Sequence, residues 1–273
     1  SANQNDKTAQ FLLGEIYYKG IYVPKDINKA ILYLTLSADQ NEPSAQYLLG
    51  NIYYTGDCVQ RDINKSIHYF KLAANQDRTE AQNSHGEIYY DNKYIPRNIN
   101  ESIHYFTLAA HHNHSFAQFK LGLIYFIGKY VPRDINKSIL FFTLSATQNN
   151  YFSQYMLGYI YYQDQYVPRD INKSIYYFTL SANQNFSLVQ IRLGDIYYEG
   201  KYVKSDINKS IHYLTLAANQ NDSDAQFALG LYHFLGDNFP KDIQKSIYYF
   251  IHSANNNHKD AQLLLVVMDQ SLF

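Results

Sequence analysis

Tryptophan is absent from this chain, cysteine occurs once and methionine twice in 273 residues. With Cys58 alone, no internal disulfide framework can form, which argues against a stapled secreted scaffold. Charge of either sign is not in excess: 23 basic residues face 24 acidic ones, a net of −1. Nothing in that balance favours nucleic acid as a partner. The longest purely aliphatic or methionine run is Leu263 to Met268, far short of the ~20 apolar residues of a membrane span. Strand-like alternation is missing, which excludes a propeller. Also missing are a Ser-His-Asp set, paired acids in a pocket and a glycine-rich phosphate loop, so a catalytic function, a cofactor and a metal site are not expected.

What the chain does have is period. Gly14, Gly50, Gly86, Gly122, Gly158, Gly194 and Gly230 recur at an unbroken spacing of 36 residues. Around each glycine the sequence reads roughly A-Q-x-x-L-G-x-I-Y-Y-x-G-x-Y-V-P-R-D-I-N-K-S-I-x-Y-F-x-L-A-A-N-Q-N, most plainly from Ala45 to Asn75 and from Ala117 to Asn149. A repeat of this length is the mark of a solenoid, whose units bury their apolar faces against one another.

Each unit reads as two antiparallel helices. In the first, from about Thr8 to Lys19, Ala9, Leu13 and Ile16 fall at helical spacing and Gly20 stops the helix. Pro24 keeps the following loop extended. Asp26 is the natural N-cap of a second helix that runs to about Gln40, with Ile27, Ala30, Ile31, Leu34 and Ala38 along one side. Lys29 at N3 has the wrong sign for a capping box, so a carboxylate or solvent is expected to hold it. Glycine inside a helix costs about 1 kcal/mol against alanine. Its sevenfold recurrence points to close helix approach, aided by small pairs such as Ala73-Ala74 and Ala109-Ala110, and an alanine would be tolerated only where its methyl fits.

These residues resemble the Sel1-like repeat, a relative of the tetratricopeptide repeat: A-x-x-x-L-G-x-x-Y-x-x-G, then V-P-x-D, then K-A/S-x-x-x-Y/F-x-x-A-A. The match extends over seven units. Asn92 and Asp164 stand for the second glycine, and both residue types tolerate left-handed backbone; Asn98 stands for the cap aspartate, and Tyr69 and Tyr105 for the family's second-helix tryptophan. The resemblance implies an all-α, right-handed superhelical solenoid of about seven 36-residue helix pairs. It also implies an adaptor role with no catalytic residues. The array is read as one domain over 1–273, with units near 8–43, 44–79, 80–115, 116–151, 152–187, 188–223 and 224–259. Residues 1–7 read as the tail of a truncated unit, since Ser1 to Asp6 copies Ser181 to Asn185; 260–273 reads as a terminal helix, with Val266 where glycine is expected. An uncovered face on Leu263 to Met268 could pair two chains end to end.

A single cysteine points to a cytoplasmic chain. Cys58 shares its loop position with Tyr22, Tyr94, Tyr130, Tyr166 and Tyr202, so it reads as a loop packing residue. Against that location stand glycosylation sequons at Asn64, Asn100, Asn113, Asn136, Asn172, Asn185, Asn208 and Asn221, five of them one position copied, and the secretory pathway is the alternative. His68, His104 and His212 share a second-helix slot with Leu32, Leu140, Tyr176 and Tyr248, which marks a packing or rim slot. The cluster His111, His112 and His114 reads as a solvated turn. The basic loop row Lys25, Arg61, Arg97, Arg133, Arg169 and Lys241 precedes the Asp or Asn caps and reads as a locally balanced edge.

Function is expected where the copies disagree. First-helix positions equivalent to 8, 12, 15 and 19 vary freely, and their 4-, 3- and 4-residue steps put them on one face, which in such solenoids lines the concave groove. Unit three gives Glu80, Ser84, Glu87 and Asp91. Units four to six then supply Phe116, Lys120, Leu123, Ile127, Phe152, Met156, Tyr159 and Arg192. This apolar, aromatic patch with flanking charges is the expected site for a protein or peptide partner, the charges setting register. The competing expectation is a structural or self-associating regulatory module of a larger protein.

Overall fold

A computed structural model describes residues 6–236 and 241–270; the tail read at 1–5, the loop at 237–240 and the last three residues lie outside the described residues, as do the side chains of 268–270. Fifteen helices and no strand occur among the described residues. They fall into two compact units divided between Ser145 and Ala146. The first holds α1 (Lys7–Lys19), α2 (Ile27–Asp39), α3 (Pro43–Thr55), α4 (Ile63–Ala74), α5 (Thr79–Asp91), α6 (Ile99–His111), α7 (Ser115–Ile127) and, but for its last residue, α8 (Ile135–Ala146). The second holds α9 (Tyr151–Tyr162), α10 (Ile171–Ala182), α11 (Ser187–Glu199), α12 (Ile207–Ala218), α13 (Ser223–Leu235), α14 (Ile243–Asn255) and α15 (Lys259–Gln270). Within each unit the odd-numbered helix packs on the helix after it, and each even-numbered helix on the next repeat's first helix.

The local chemistry of the repeat sets these boundaries. Asp26 accepts the Lys29 backbone N–H at 3.0 Å, and the caps at Asp62, Asp134, Asp170, Asp206 and Asp242 do the same one repeat after another. Asn98 caps α6 equally well through Glu101 N–H. The misplaced lysine is held by the cap itself: Lys29 Nζ lies 3.5 Å from Asp26 Oδ2 and 5.2 Å from the centre of the Tyr17 ring. The same carboxylate thus satisfies a backbone donor and a side-chain cation.

At the other end of the first helix the loop arginine acts as a C-terminal cap. Arg61 donates Nε to Tyr54 O at 2.9 Å and Nη2 to Thr55 O at 2.7 Å, and its guanidinium lies over the Tyr94 ring of the next repeat at 4.9 Å. Arg169 repeats this on Tyr162 O and Tyr202. Cations at a helix C-terminus oppose the end of the dipole and bond its free carbonyls. Within the basic loop row, Arg61, Arg97 and Arg169 are therefore repeat-to-repeat clasps, each lying over a tyrosine of the next repeat, while the cap aspartates pair with the N3 lysines instead. Asn92 is left-handed (φ 55°) as expected, whereas Asp164 is not: its helix ends earlier, at an extended Gln163 (φ −85°, ψ 126°). What Asp164 keeps is the side-chain role, accepting Arg169 N–H at 3.2 Å as Asn92 accepts Arg97 N–H.

The helical glycines make room for a side chain rather than for a bare backbone contact. A Cβ on Gly122 would sit 2.6 Å from two carbons of the Phe142 ring, and one on Gly50 or Gly86 would come within 2.6 Å of Phe70 or 2.8 Å of Phe106. Those rings are buried to 1% exposure or less, each contributing about 1.5–3 kcal/mol. The alanine pairs lie elsewhere, lining the seam to the next repeat, where their carbonyls bond a buried glutamine. Gln46 Nε2 donates to Ala38 O at 3.1 Å and Gln46 Oε1 accepts from Gln76 Nε2 at 2.7 Å, one side chain thereby tying two repeats. The same pair of bonds recurs at Gln154, Gln190 and Gln226.

Candidate functional site

The variable first-helix face exists in both units, and each unit carries its own part of it. In the first, Phe116, Lys120, Leu123 and Ile127 line one side of α7. Ile127 is 46% exposed and the other three are half-buried. Lys120 is not a free charge: its Nζ lies 3.1 Å from Glu87 Oε1 and over the rings of Phe116 and Tyr90. In the acidic stretch of α5 Glu80 likewise pairs, with Arg78 at 2.9 Å, and Asp91 is exposed. Between α3 and α5 a cavity of about 70 Å³ is lined by Asn51, Tyr54, Phe70, Ser84, Glu87 and Ile88.

In the second unit Phe152, Met156 and Tyr159 lie along α9 and Arg192 on α11. Phe152 is 37% exposed, with its ring 5.5 Å from Phe186. Tyr159 packs on the core around Phe178 and Leu193; burial pushes its hydroxyl up, as does its hydrogen bond with Tyr166, while the exposed Arg192 pulls it down. Exposed apolar side chains continue on the same faces at Leu188 (49%) and Leu235 (52%).

The histidine readings divide. His68, His104 and His212 are exposed, with Leu32, Leu140, Tyr176 and Tyr248, on the outer side of the second helices, so the slot is a rim. His114 is a helix cap, its Nδ1 accepting Ala117 N–H at 3.2 Å, and burial lowers its pKa. His112 Nε2 lies 3.7 Å from Asp77 Oδ1. No group of three or more ligand-type side chains is gathered among the described residues.

Two buried features escaped the sequence reading. One is the glutamine of the A-Q pair, a signal present in the repeat consensus. The other is His85, which replaces the leucine found at Leu13, Leu49, Leu121, Leu157, Leu193 and Leu229. It is 1% exposed, its ring lies 4.1 Å from that of Tyr105, and neither ring nitrogen has a hydrogen-bond partner; burial drives its pKa down to about 4. The neighbouring Gln82 Oε1 is also unpaired, because position 112 is histidine where other repeats place the donating glutamine.

Repeats of helix, loop, capped helix and buried glutamine define an α-helical repeat protein, and comparison names the kind. The Sel1 repeat profile matches residues 7–42, 43–77, 79–114, 115–150, 152–186, 187–222 and 223–258. The chain belongs to the Sel1 repeat family, a protein-interaction scaffold fold whose members are generally non-catalytic. It is similar to a crystal structure of a protective antigen of uropathogenic Escherichia coli displaying an SLR fold, at 29% identity and a TM-score of 0.88 over 99% of this chain and 58% of that one. It is similar also to a Sel1 repeat protein from Oxalobacter formigenes, at 29% identity and a TM-score of 0.82 over 97% of this chain and 76% of that one. The chain thus spans little more than half of the first of these relatives. No curated protein matches it. No described helix is long and apolar enough to cross a membrane.

Proposed function

We propose that the chain is a non-catalytic adaptor that holds a protein or peptide partner through the variable face of its first helices, the face that the family resemblance puts on the concave side. One observation carries this reading. Ile127, Phe152 and Leu188 are exposed apolar groups at positions where sister repeats hold Thr, Ser, Asp, Glu or Lys, so packing does not require them. Exposed apolar surface with charge at its edge suits an anchored peptide. Phe116, Lys120 and Leu123 form the floor of the patch in one unit, and Met156 and Tyr159, flanked by Arg192, form it in the other.

The test uses peptides selected from a random display library on the full chain. Ile127→Ser and Phe152→Ser should each cost under about 1 kcal/mol of stability. Each should weaken the peptides held by its own unit by roughly 2 kcal/mol, about 30-fold. Tyr159→Ala is a poor probe, since it removes packing. A library that yields no binder, or variants that unfold while binding is unimpaired, would defeat the reading.

A second reading, self-association through α15, rests on Leu263, Val266 and Val267, which are 65%, 56% and 62% exposed. Sedimentation of the chain against Leu263→Lys, Val267→Lys decides it: a concentration-independent monomer in the unmodified chain removes that reading. For location, we infer a reducing compartment from the lone Cys58. The sequon asparagines Asn64, Asn100, Asn136, Asn172 and Asn208 are all exposed, so glycans found on the native protein by intact mass would overturn it.

A further inference from the structure

The partly buried carboxylates on the variable face differ in one respect between the two units. In the first, the partly buried Glu15 and Glu87 are matched from within, by Lys19 at 2.7 Å and Lys120 at 3.1 Å, and the exposed Glu80 by Arg78 at 2.9 Å, while Asp91 is exposed to solvent. In the second, Asp195 and Glu199 sit one turn apart on α11, and no described residue offers either of them an ion pair or a hydrogen bond. Asp195 is half-buried, and burial holds its carboxyl above the usual carboxylate range, with Glu199 adding to the effect and Arg192 opposing it. Arg192 acts on Asp195, Tyr159 and Tyr162 without closing an ion pair with any carboxylate. Beside Asp195 stands Tyr232 of α13, whose ring stacks on Tyr198 at 4.3 Å and whose hydroxyl feels both carboxylates.

A half-desolvated carboxylate without a counter-ion raises the energy of the free protein, and an arriving cation relieves it. Ring faces nearby add to the attraction for a cation. Two turns back along the same face, Leu188 is exposed. Seven helical residues separate it from Asp195, a rise of about 10 Å, or roughly three residues of an extended chain. We propose that the α11 face binds a segment of a protein partner that carries a lysine or arginine, seated between Asp195 and Glu199, about three residues from an apolar side chain seated on Leu188. This rests on the adaptor reading above and gives the partner a charge sign and a spacing.

Dodecapeptides selected from a random display library on the full chain should be enriched in an apolar residue and a Lys or Arg at that spacing. Replacing the basic residue of a selected peptide by Gln should weaken binding tenfold or more, and binding should weaken as salt rises. Asp195→Asn, Glu199→Gln, checked for fold by circular dichroism, should select apolar peptides without the basic preference. The salt titration needs no variant and so stands independently of how that variant folds. Peptides that are apolar or acidic with no basic bias would overturn this inference while leaving the adaptor reading intact, and that is the outcome if Arg192 closes on Asp195 in solution. Failure to select any peptide would defeat both.

Discussion

Gly122 shows how little freedom a single position has in this repeat. Its hydrogen stands where a methyl would press into the Phe142 ring at 2.6 Å, and Ser138 Oγ donates to its carbonyl at 3.0 Å, fixing the backbone from the other side. Ring and backbone cannot both yield, so Gly122→Ala should destabilise by about 1–3 kcal/mol even though alanine is the better helix former. A urea midpoint unchanged from that of the parent chain would show that the ring moves aside. The same reasoning explains why sequence alone left the alanine open: the period shows that something fills the space but not what. The glycine's partner lies 20 residues on and across the helix pair.

At the scale of the element, the caps were legible and the seams were not. Asp26 and its counterparts announce a helix start by residue type and by the loop before them, and each does cap. The glutamine seam is written just as regularly, yet a buried glutamine gains meaning only when the carbonyl it meets is known, and that carbonyl belongs to the previous repeat. The turn between repeats is similar: Asn41, Asn113, Asn185 and Asn221 are left-handed (φ 57° to 63°), which makes the asparagine that recurs just past the second helix a turn signal. Two substitutions separate the seam's two bonds. Gln46→Leu removes one bond from Ala38 O, which keeps the Asn41 N–H, and one from Gln76 Nε2, which keeps Leu72 O, and the two lost bonds should together cost about 1–3 kcal/mol. Gln82 keeps only its bond to Ala74 O, its own Oε1 being unpaired, so Gln82→Leu should cost less. Equal losses in thermal unfolding would mean that the second bond contributes nothing.

For the whole molecule, stability in a repeat array is close to a sum over units and their interfaces, so a weak repeat opens locally rather than weakening every part alike. Repeat three is that repeat, since His85 brings two unpaired nitrogens into a leucine slot. Its folded pKa, about 4, lies below the 6.5 of the free side chain. The folded form therefore binds fewer protons. Stability is full above pH 6.5 and falls as pH drops toward 4, by roughly 3 kcal/mol over the window. Hydrogen exchange at pH 5 should show residues 79–114 opening before the rest, and His85→Leu should remove that pH dependence and stabilise the chain at neutral pH. Uniform exchange across the repeats, or a pH dependence that persists in the leucine variant, would place the weakness elsewhere.

The sequence by itself determined the all-α class, the seven helix pairs, their caps and the face that varies. These follow from spacing and residue type, which act within one repeat and are copied in each. Only the tertiary structure decided which of the varying residues are available to a partner. Lys120 is paired with Glu87, and Tyr159 is packed on the core, whereas Ile127, Phe152 and Leu188 are exposed and Asp195 is without a counter-ion. The physical reason is that an ion pair or a buried ring depends on a neighbour one repeat away, and the period that makes each unit readable is silent on contacts between different side chains at equivalent positions.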